Sequence, residues 1–528
     1  MEALTALWKR IAEPKASVPP ERQLFTNRDL RALIAPLFVE QLLAMLVGIA
    51  DTLMVSYAGE AAVSGVSLVN MLNTFFIFLF TALASGGAVV VSQYLGSKDP
   101  QNSGLAAGQL YLLSLLFSLV CMAGTLVWNR PLLGLLFGQV EADVMDASVI
   151  YLRISAYSYP ALALYNAGAA LYRSMNKTKV TMNISLLMNV INVAGNAIGI
   201  FVLHAGVAGV AWPSTISRAF AAAAITALCF SKKNQVTLLW RNLLAWNGGM
   251  IRRLLGIAVP NSIENGLFQL AKVALSSITA MFGTVQIAAN GVAQSIWSLA
   301  ALAGSALGPA FITVVGQCMG ANDPEAADYY MKKLTRLTLV ISILWNVLIL
   351  LATPVMLLFY DLSPQAKNLV FWLVVIHNLF NAVAFPISGP FSNGLRAAGD
   401  VKFTMYISLF STIVVRVALS ILLGVWLNLG VIGIALAMAG DWCIKAVILL
   451  FRNKSGAWKS FRVLGLDLQF SSSPAILFLY RVSCKRPPAG GLFRRGNVPC
   501  AFKLREPLPP RTSTESISGT PRTCSPGG

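Results

Sequence analysis

Long apolar stretches fill most of this chain, and each is about as long as a membrane-spanning helix. The twelve stretches lie near residues 32–56, 62–94, 105–128, 148–172, 180–203, 207–230, 254–281, 287–317, 336–359, 369–395, 403–427 and 431–451. A helix of about 20 predominantly apolar residues crosses a bilayer. Of the 528 residues, 56% are hydrophobic and 12% are charged, whereas soluble domains carry about 25% charged residues. The sequence therefore predicts an all-α polytopic membrane protein with twelve transmembrane helices.

Basic residues collect at one end of these predicted helices, before helix 1, between helices 4 and 5, between the two halves and after helix 12. The loop 129–147 at the opposite end holds Arg130 against Glu141, Asp143 and Asp146. Because cytoplasmic loops carry the excess of Lys and Arg, we expect a multi-pass protein of the plasma (inner) membrane with both termini cytoplasmic. This orientation accounts for the +19 net charge without a nucleic-acid partner. We also expect no cleavable signal peptide before helix 1.

The two halves of the chain repeat each other. The segment V-S-Q-Y-L-G-S-K-D-P (91–100) aligns with V-G-Q-C-M-G-A-N-D-P (315–324), with five identities in ten at an offset of 224. Further pairs at offsets of 224 or 223 are Pro36 and Pro260, Glu40 and Glu264, and Arg173 and Arg396. Each half has an even number of helices, so the repeats share one orientation and a pseudo-twofold along the membrane normal relates them. This architecture, with a cavity between two lobes, is typical of secondary transporters.

The repeat and the charge pattern divide the chain into five expected segments. They are a cytoplasmic N-terminal segment (1–31), a six-helix lobe (32–230), a cytoplasmic linker (231–253), a second six-helix lobe (254–451) and a basic, Pro- and Ser-rich tail (452–528). Beyond about residue 464 the composition predicts disorder. A regulatory or lipid-binding tail and a tail translated out of frame have the same composition, and both interpretations stay open.

Helix 1 carries two acids where lipid disfavours them. At 100° per residue, Pro36, Glu40 and Asp51 fall within about 60° of one another on one helix face, with the two acids about 16 Å apart. An ionisable group inside a membrane span usually marks an ion or substrate path. Glu40 could alternatively extend to the lipid headgroups, but the short side chain of Asp51 is poorly suited to that. Asp51 is therefore the stronger candidate.

Amides and a histidine form the next set of candidates. Helix 5 holds Asn189, Asn192 and Asn196 within about 60° of one another, which indicates either contacts between helices or the lining of a polar cavity. In helix 10, His377 could titrate near neutral pH or serve as hydrogen-bonded packing. The two roles of the amides and the two roles of His377 all stay open.

The second half carries further charges within its predicted helices. Helix 7 holds Glu264 and Lys272, and Arg416 in helix 11 is interpreted as a structural or snorkelling charge. Asp441 and Lys445 are spaced i, i+4 on helix 12, which predicts an ion pair between them.

Several catalytic signatures are absent from the sequence. It has no G-x-x-x-x-G-K-[ST] loop for ATP and no dinucleotide fingerprint. It also lacks the H-E-x-x-H and G-x-S-x-G motifs of common hydrolases. We therefore expect a secondary active transporter without a cofactor, driven by an ion gradient or by the gradient of its substrate, and not an enzyme.

Over about residues 30–455 the chain resembles the multidrug and toxic compound extrusion (MATE) family of cation-coupled antiporters. The resemblance rests on four segments: A-P-L-F-V-E-Q-L-L-A-M-L-V-G-I-A-D-T-L-M-V-S in helix 1, V-V-V-S-Q-Y-L-G after helix 2, N-G-L-R-A-A-G-D-V-K-F (393–403) and two G-V-x-G loops. It implies two six-helix lobes that alternate in access across the membrane.

The resemblance also implies roles for individual residues. The family's coupling aspartate of helix 1 matches Asp51, and a helix-1 proline that bends on protonation matches Pro36. The family's Asn-x-x-x-Asp pair on helix 5 reads Asn192-x-x-x-Asn196 here, so its second acid is an amide. A helix-7 glutamate used by other branches matches Glu264.

These matches define the candidate residues for coupling and gating. A proton or sodium site would comprise Asp51, Asn192 and Asn196, and the coupling and gating set adds Pro36 and Glu264. Weaker candidates are Glu40, Asn189 and His377.

The resulting hypothesis is a monomeric, proton- or sodium-coupled antiporter in the lipid bilayer. It would export small organic molecules, cationic or amphipathic, by alternating access. One alternative is a lipid-linked saccharide flippase of the same superfamily, for which one would expect more basic residues inside the cavity than these helices show. An alternative of a different class is a membrane-embedded enzyme or receptor.

Overall fold

The computed structural model describes residues 13–14, 18–138, 140–360, 362–461 and 463–464. Within these residues the chain forms helices and no strands. Twelve long helical units, named α1 to α12 in chain order, are Asn27–Ser56, Glu60–Gly96, Pro100–Val127, Ala142–Tyr157 with Tyr159–Ser174, Thr178–Val202, Ala208–Cys229, Gly248–Ala280, Thr284–Gly320, Pro324–Phe359, Pro364–Ala398, Val401–Trp426 and Gly430–Ser455. The prediction of an all-α protein with twelve transmembrane helices is confirmed.

Nine of these units, counted over the described ranges, are long and apolar enough to cross a membrane by length and composition alone. The other three are α4, α6 and α7. Unit α4 is divided into two helices of 16 residues each, and α7 contains the four charged residues Arg252, Arg253, Glu264 and Lys272. These four charges keep α7 outside the apolar limit that the nine units meet.

Several helices begin well before their apolar stretches. The start of α9 is Pro324, where the apolar stretch begins near 336, because Asp323 caps the helix by accepting a hydrogen bond from the Ala326 N–H (3.0 Å). The repeated Asp99 caps α3 in the same way through Asn102, and these N–H donors hold the pKa of Asp99 below its usual range. The repeated D-P dipeptide is thus a helix start, with proline in the first turn.

The helices pack as two lobes of six. In the first lobe α5 packs against α1 and α6, and α2 packs against α4. In the second lobe α10 packs against α8, α9 and α12. The lobes meet mainly where α2 contacts α7 and α8. This arrangement encloses one polar region inside each lobe and a cavity between them.

The repeated segment forms the contact between the lobes, here called the seam. The Gln93 side chain donates to the carbonyl of Ala397 (2.7 Å), and its repeat partner Gln317 donates to the carbonyl of Ser174 (2.7 Å). Both acceptors lie at helix C-termini, where backbone carbonyls lack partners within the helix. Gly96 is needed because a Cβ there would collide with the backbone of Gln317. The seam therefore closes the end of the molecule at which α1 begins and α12 ends.

Two predicted segments extend beyond the described residues. The tail predicted as disordered lies outside them from residue 465 onward, and the N-terminal segment lies outside them for residues 1–12 and 15–17. The described part of the N-terminal segment reaches the second lobe, where Arg22 pairs with Asp323 (2.7 Å). The Tyr330 hydroxyl also donates to the backbone carbonyl of Phe25 (2.7 Å).

Candidate functional site

The first lobe brings Asp51 of α1 together with two of the helix-5 amides. The Asn196 side-chain amide donates to Oδ1 of Asp51 (2.7 Å) and lies 3.3 Å from Oδ1 of Asn192. Asn192 in turn donates to the Ser214 hydroxyl of α6 (2.8 Å). Asp51 is half-buried and Asn196 is buried. Three helices thus converge on one carboxylate, here called the Asp51 cluster.

The third amide of the helix-5 stripe does not join this cluster. Asn189 is buried, and its side-chain nitrogen has no hydrogen-bond partner within the described residues. Oδ1 of Asn196 is also buried without a partner there. The Asp51 cluster therefore retains an unused acceptor beside the carboxylate.

Pro36 lies inside α1 and leaves one backbone carbonyl without its usual partner. Proline has no N–H, so the carbonyl of Ala32 cannot accept the normal i to i−4 bond from residue 36. The Thr178 hydroxyl at the start of α5 lies 3.0 Å from this carbonyl and 3.0 Å from that of Leu33. No pattern in the sequence singles out Thr178, because only the packing of α5 against α1 reveals its role. The proline is thus tied to the helix that carries Asn192 and Asn196.

Glu40 and Glu264 form equivalent ion pairs in the two lobes. Arg173 at the end of α4 contacts Glu40 at 2.6 Å, and Arg396 at the end of α10 contacts Glu264 at 2.6 Å. Glu264 also has Lys445 of α12 at 3.5 Å. Both acids of the repeat therefore tie the first helix of a lobe to the end of its fourth.

The predicted ion pair between Asp441 and Lys445 is wrong. Asp441 pairs with Arg416 of α11 (2.5 Å) and accepts a hydrogen bond from Ser411, whereas Lys445 lies against Glu264. The i, i+4 spacing permits a contact on the helix, but buried carboxylates favour the multiple donors of a guanidinium. Arginine in a neighbouring helix therefore displaces the local lysine.

His377 of α10 is 1% exposed, and neither of its ring nitrogens has a hydrogen-bond partner within the described residues. It faces a cavity inside the second lobe. One of the two alternatives for His377 is packing with hydrogen bonds to its neighbours. The described residues supply no such bond.

A cavity of about 530 Å³ lies between the lobes. Its wall contains five large aromatic side chains, which are Phe78, Phe268, Trp297, Phe385 and Trp442. Its charged wall residues are Arg173, Glu264, Arg396, Arg416, Asp441 and Lys445. The expectation of few basic residues in this cavity is wrong, since Arg173, Arg396, Arg416 and Lys445 line it. The long arms of these bases reach the cavity from helix ends and from α11 and α12.

Metal binding by charged side chains has no support in the described ranges. They contain no group of three or more His, Cys, Asp or Glu side chains that could hold a metal ion. The oxygens of the Asp51 cluster come instead from one carboxylate and two amides. Such a cluster suits a proton or an alkali cation better than a transition metal.

These features define a class of protein: a twelve-helix, two-lobed membrane carrier with a central cavity and a polar cluster inside one lobe. The MatE family model matches residues 36–198 and 260–422, once in each lobe at the same offset of 224. The chain belongs to the MATE family, whose members are carriers and not enzymes.

Similar proteins match over nearly their whole length. The chain is 27% identical over 452 residues to the uncharacterized transporter YisQ of Bacillus subtilis, covering 81% of this chain and 94% of that protein. It is 23% identical to the probable multidrug resistance protein NorM of Thermotoga maritima, covering 85% and 96%. A solved MATE family transporter in an outward-facing conformation superposes with a TM-score of 0.77 at 19% identity, covering 82% of this chain and 97% of that one. The structural match supports the fold.

Proposed function

We propose that this chain exports organic compounds by alternating access, and that inward movement of a proton or sodium ion through the Asp51 cluster drives the export. The observation that supports this most directly is the contact of Asn196 with Asp51 at 2.7 Å inside a membrane-spanning lobe. Ionisable groups at such depth usually serve ion movement. The active carboxylate is Asp51, with Asn192 and Asn196 as its partners.

Protonation of Asp51 changes the hydrogen bonding that its neighbours can make. An ionised carboxylate only accepts, whereas a carboxylic acid also donates through its O–H. Asn196 already donates to Asp51 and has a buried Oδ1 without a partner in the described residues. A protonated Asp51 could donate to that oxygen while still accepting the N–H, which makes a paired acid–amide contact. Proton binding would therefore draw α1 and α5 together.

Sodium is the other coupling ion that the same cluster supports. Na⁺ is a hard cation that prefers oxygen ligands, and Asp51, Asn192 and Asn196 each supply a side-chain oxygen. To bind the ion, the Asn196 amide would turn its oxygen toward the site. A transport experiment distinguishes the two ions by showing whether a proton gradient or a sodium gradient drives export.

The proposed cycle uses Pro36 to pass this change to the lobe contact. Pro36 lies near the end of α1 that the seam closes, and Thr178 connects that end to α5. With both termini in the cytoplasm, the closed seam corresponds to an outward-open state. Repacking of α1 against α5 would then alter the seam and expose the cavity to the cytoplasm.

The proposed substrates are amphipathic organic molecules, including cations. The aromatic wall of the central cavity offers apolar contacts and ring faces for a cation. The relatives named as multidrug resistance proteins support a broad substrate range. Glu264 and Asp441 face the same cavity, although each is already paired with a base.

A lipid-linked saccharide flippase is the second candidate function. The observation that favours it is the set of four bases, Arg173, Arg396, Arg416 and Lys445, in the cavity wall. Three of them contact the acids Glu40, Glu264 or Asp441 closely, which leaves little excess charge for a diphosphate. Transport of a labelled lipid-linked oligosaccharide across proteoliposomes, compared with efflux of cationic dyes, separates the two functions.

Proteoliposomes that carry either a proton or a sodium gradient test the proposal with a panel of cationic dyes. We expect Asp51→Asn to abolish gradient-driven dye movement, because the amide can neither bind a proton nor supply a negative charge. Asp143→Asn is the matched control, since Asp143 is exposed in the first turn of α4. Unchanged coupling in Asp51→Asn would rule out Asp51 as the coupling residue.

A further inference from the structure

A second cavity, of about 330 Å³, lies inside the second lobe, between α7, α8, α10, α11 and α12. Its wall includes Lys272, Arg416 and His377 but no Asp or Glu. Pockets of this size or larger commonly hold small ligands. We refer to it as the α7 cavity, because Lys272 extends into it from α7.

The repeat relates the α7 cavity to the Asp51 cluster of the first lobe. At the offset of 224 shared by both family matches, Asp51 corresponds to Leu275 and Asn192 corresponds to Arg416. Leu275 and Arg416 both line the α7 cavity. Equivalent positions thus carry an acid and an amide in one lobe, and a leucine and an arginine in the other. The charge at this place in the fold is reversed between the lobes.

Lys272 supplies a positive charge that no carboxylate within the described residues compensates. Its Nζ lies 5.1 Å from the centre of the Phe268 ring and 5.8 Å from that of Trp297. Arg416 is held by Asp441 at 2.5 Å and contributes little net charge. A lysine inside a membrane span is costly unless it has a partner or a function. Its exposed position on the cavity wall leaves it accessible to a ligand.

Further hydrogen-bonding groups on the same wall also lack partners. Both ring nitrogens of His377 and Nε1 of Trp297 are buried without a hydrogen bond in the described part of the chain. Buried polar groups normally find a partner, and each orphaned one requires an explanation. An oxygen-bearing anion could accept from Nε1 of Trp297 and from a His377 N–H while pairing with Lys272.

The rest of the wall is mixed. Leu275, Ile434, Met438 and the Trp297 ring are apolar, whereas hydroxyl and amide side chains come from Ser276, Thr279, Asn290, Gln294, Ser295 and Ser298. The apolar side chains suit the body of an organic molecule, and the hydroxyls and amides can hydrogen-bond its polar groups. We propose that the α7 cavity is a binding site for a small organic carboxylate, with Lys272 as the partner of its negative group. This site goes beyond the export of cations, and its occupation does not depend on the Asp51 cluster.

The test compares two ligands of the same shape, 2-naphthoate and the neutral 2-naphthamide, on purified full-length protein in lipid nanodiscs by titration calorimetry. We expect the wild type to bind the carboxylate about tenfold more tightly than the amide, because a hydrogen-bonded charge contributes more than a neutral bond. Lys272→Gln should remove this preference while leaving 2-naphthamide binding unchanged. Lys272→Arg should retain it.

Two control variants complete the experiment. Lys332→Gln removes an exposed lysine outside the cavity and should keep the preference. Asp51→Asn should also keep it, because binding is measured without any gradient. If Asp51→Asn loses ion coupling but still prefers the carboxylate, the coupling role of Asp51 and the carboxylate site in the α7 cavity are each supported. Equal binding of the two ligands to the wild type, or a preference that persists in Lys272→Gln, would overturn the assignment.

Discussion

At the scale of single residues, the proline of α1 is accommodated by a hydroxyl from another helix. Inside a bilayer every backbone carbonyl needs a partner from the protein. Pro36 leaves the carbonyl of Ala32 without its usual N–H donor, and the Thr178 hydroxyl lies 3.0 Å from that carbonyl. Thr178 is also the first residue of α5, the helix that carries Asn192 and Asn196. A change at Thr178 should therefore affect stability and coupling together.

Thr178→Val preserves the shape of the side chain and removes the hydroxyl. We expect a loss of about 1 kcal/mol of stability, since a buried acceptor loses its bond. The measurement is the thermal unfolding midpoint of the purified protein. Thr52→Val is the control, because Thr52 is exposed and bonds only the Gly48 carbonyl of its own helix. Equal midpoints for the two variants would contradict the role assigned to Thr178.

At the scale of helices, each lobe is held by an arginine at the end of its fourth helix. Glu40→Gln leaves Arg173 without its carboxylate, and we expect a loss of about 3 kcal/mol, as for other broken buried pairs. Glu264→Gln should cost more, because it strands both Arg396 and Lys445. The losses of stability are measured by thermal unfolding of Glu40→Gln, Arg173→Gln and Glu264→Gln, and of the double variant Glu40→Gln/Arg173→Gln. If the double variant loses the sum of the single losses, Glu40 and Arg173 are not coupled.

The sequence predicted the helices and their duplication but not these contacts. Apolar length and the 224-residue offset are properties of the chain itself, so the twelve helices and the matched residues could be found without a structure. Partners between helices depend on rotation and depth, which spacing within one helix does not determine. The π-helical turns at Phe410–Arg416 alter the register of α11 in a way the sequence pattern does not reveal. Arg416 consequently reaches Asp441, and the local prediction for Lys445 fails.

At the scale of the whole molecule, the seam joins the two lobes through close helix packing and through polar bonds to helix ends. Gln93 and Gln317 each cap a carbonyl at the end of a helix in the other lobe. Polar contacts between membrane helices contribute modestly, about 0.6 kcal/mol on average. Bonds of this strength can break without unfolding either lobe. The proposed alternating access requires this property, because the contact would close and reopen in every cycle.

Cys318, next to Gln317 on α8, is a natural reporter of seam opening because it is fully buried. In a protein whose other cysteines are replaced by serine, we expect Gln93→Ala/Gln317→Ala to speed maleimide labelling of Cys318 about eightfold, as two lost bonds of about 0.6 kcal/mol each imply. Gln365→Ala, an exposed position outside the seam, should label at the parent rate. If the double variant also labels at the parent rate, the two glutamines do not hold the closed state. Faster labelling in the parent when Asp51 is changed to asparagine would further connect the ion site to the seam, since the neutral amide resembles protonated Asp51, which the proposed cycle couples to seam opening.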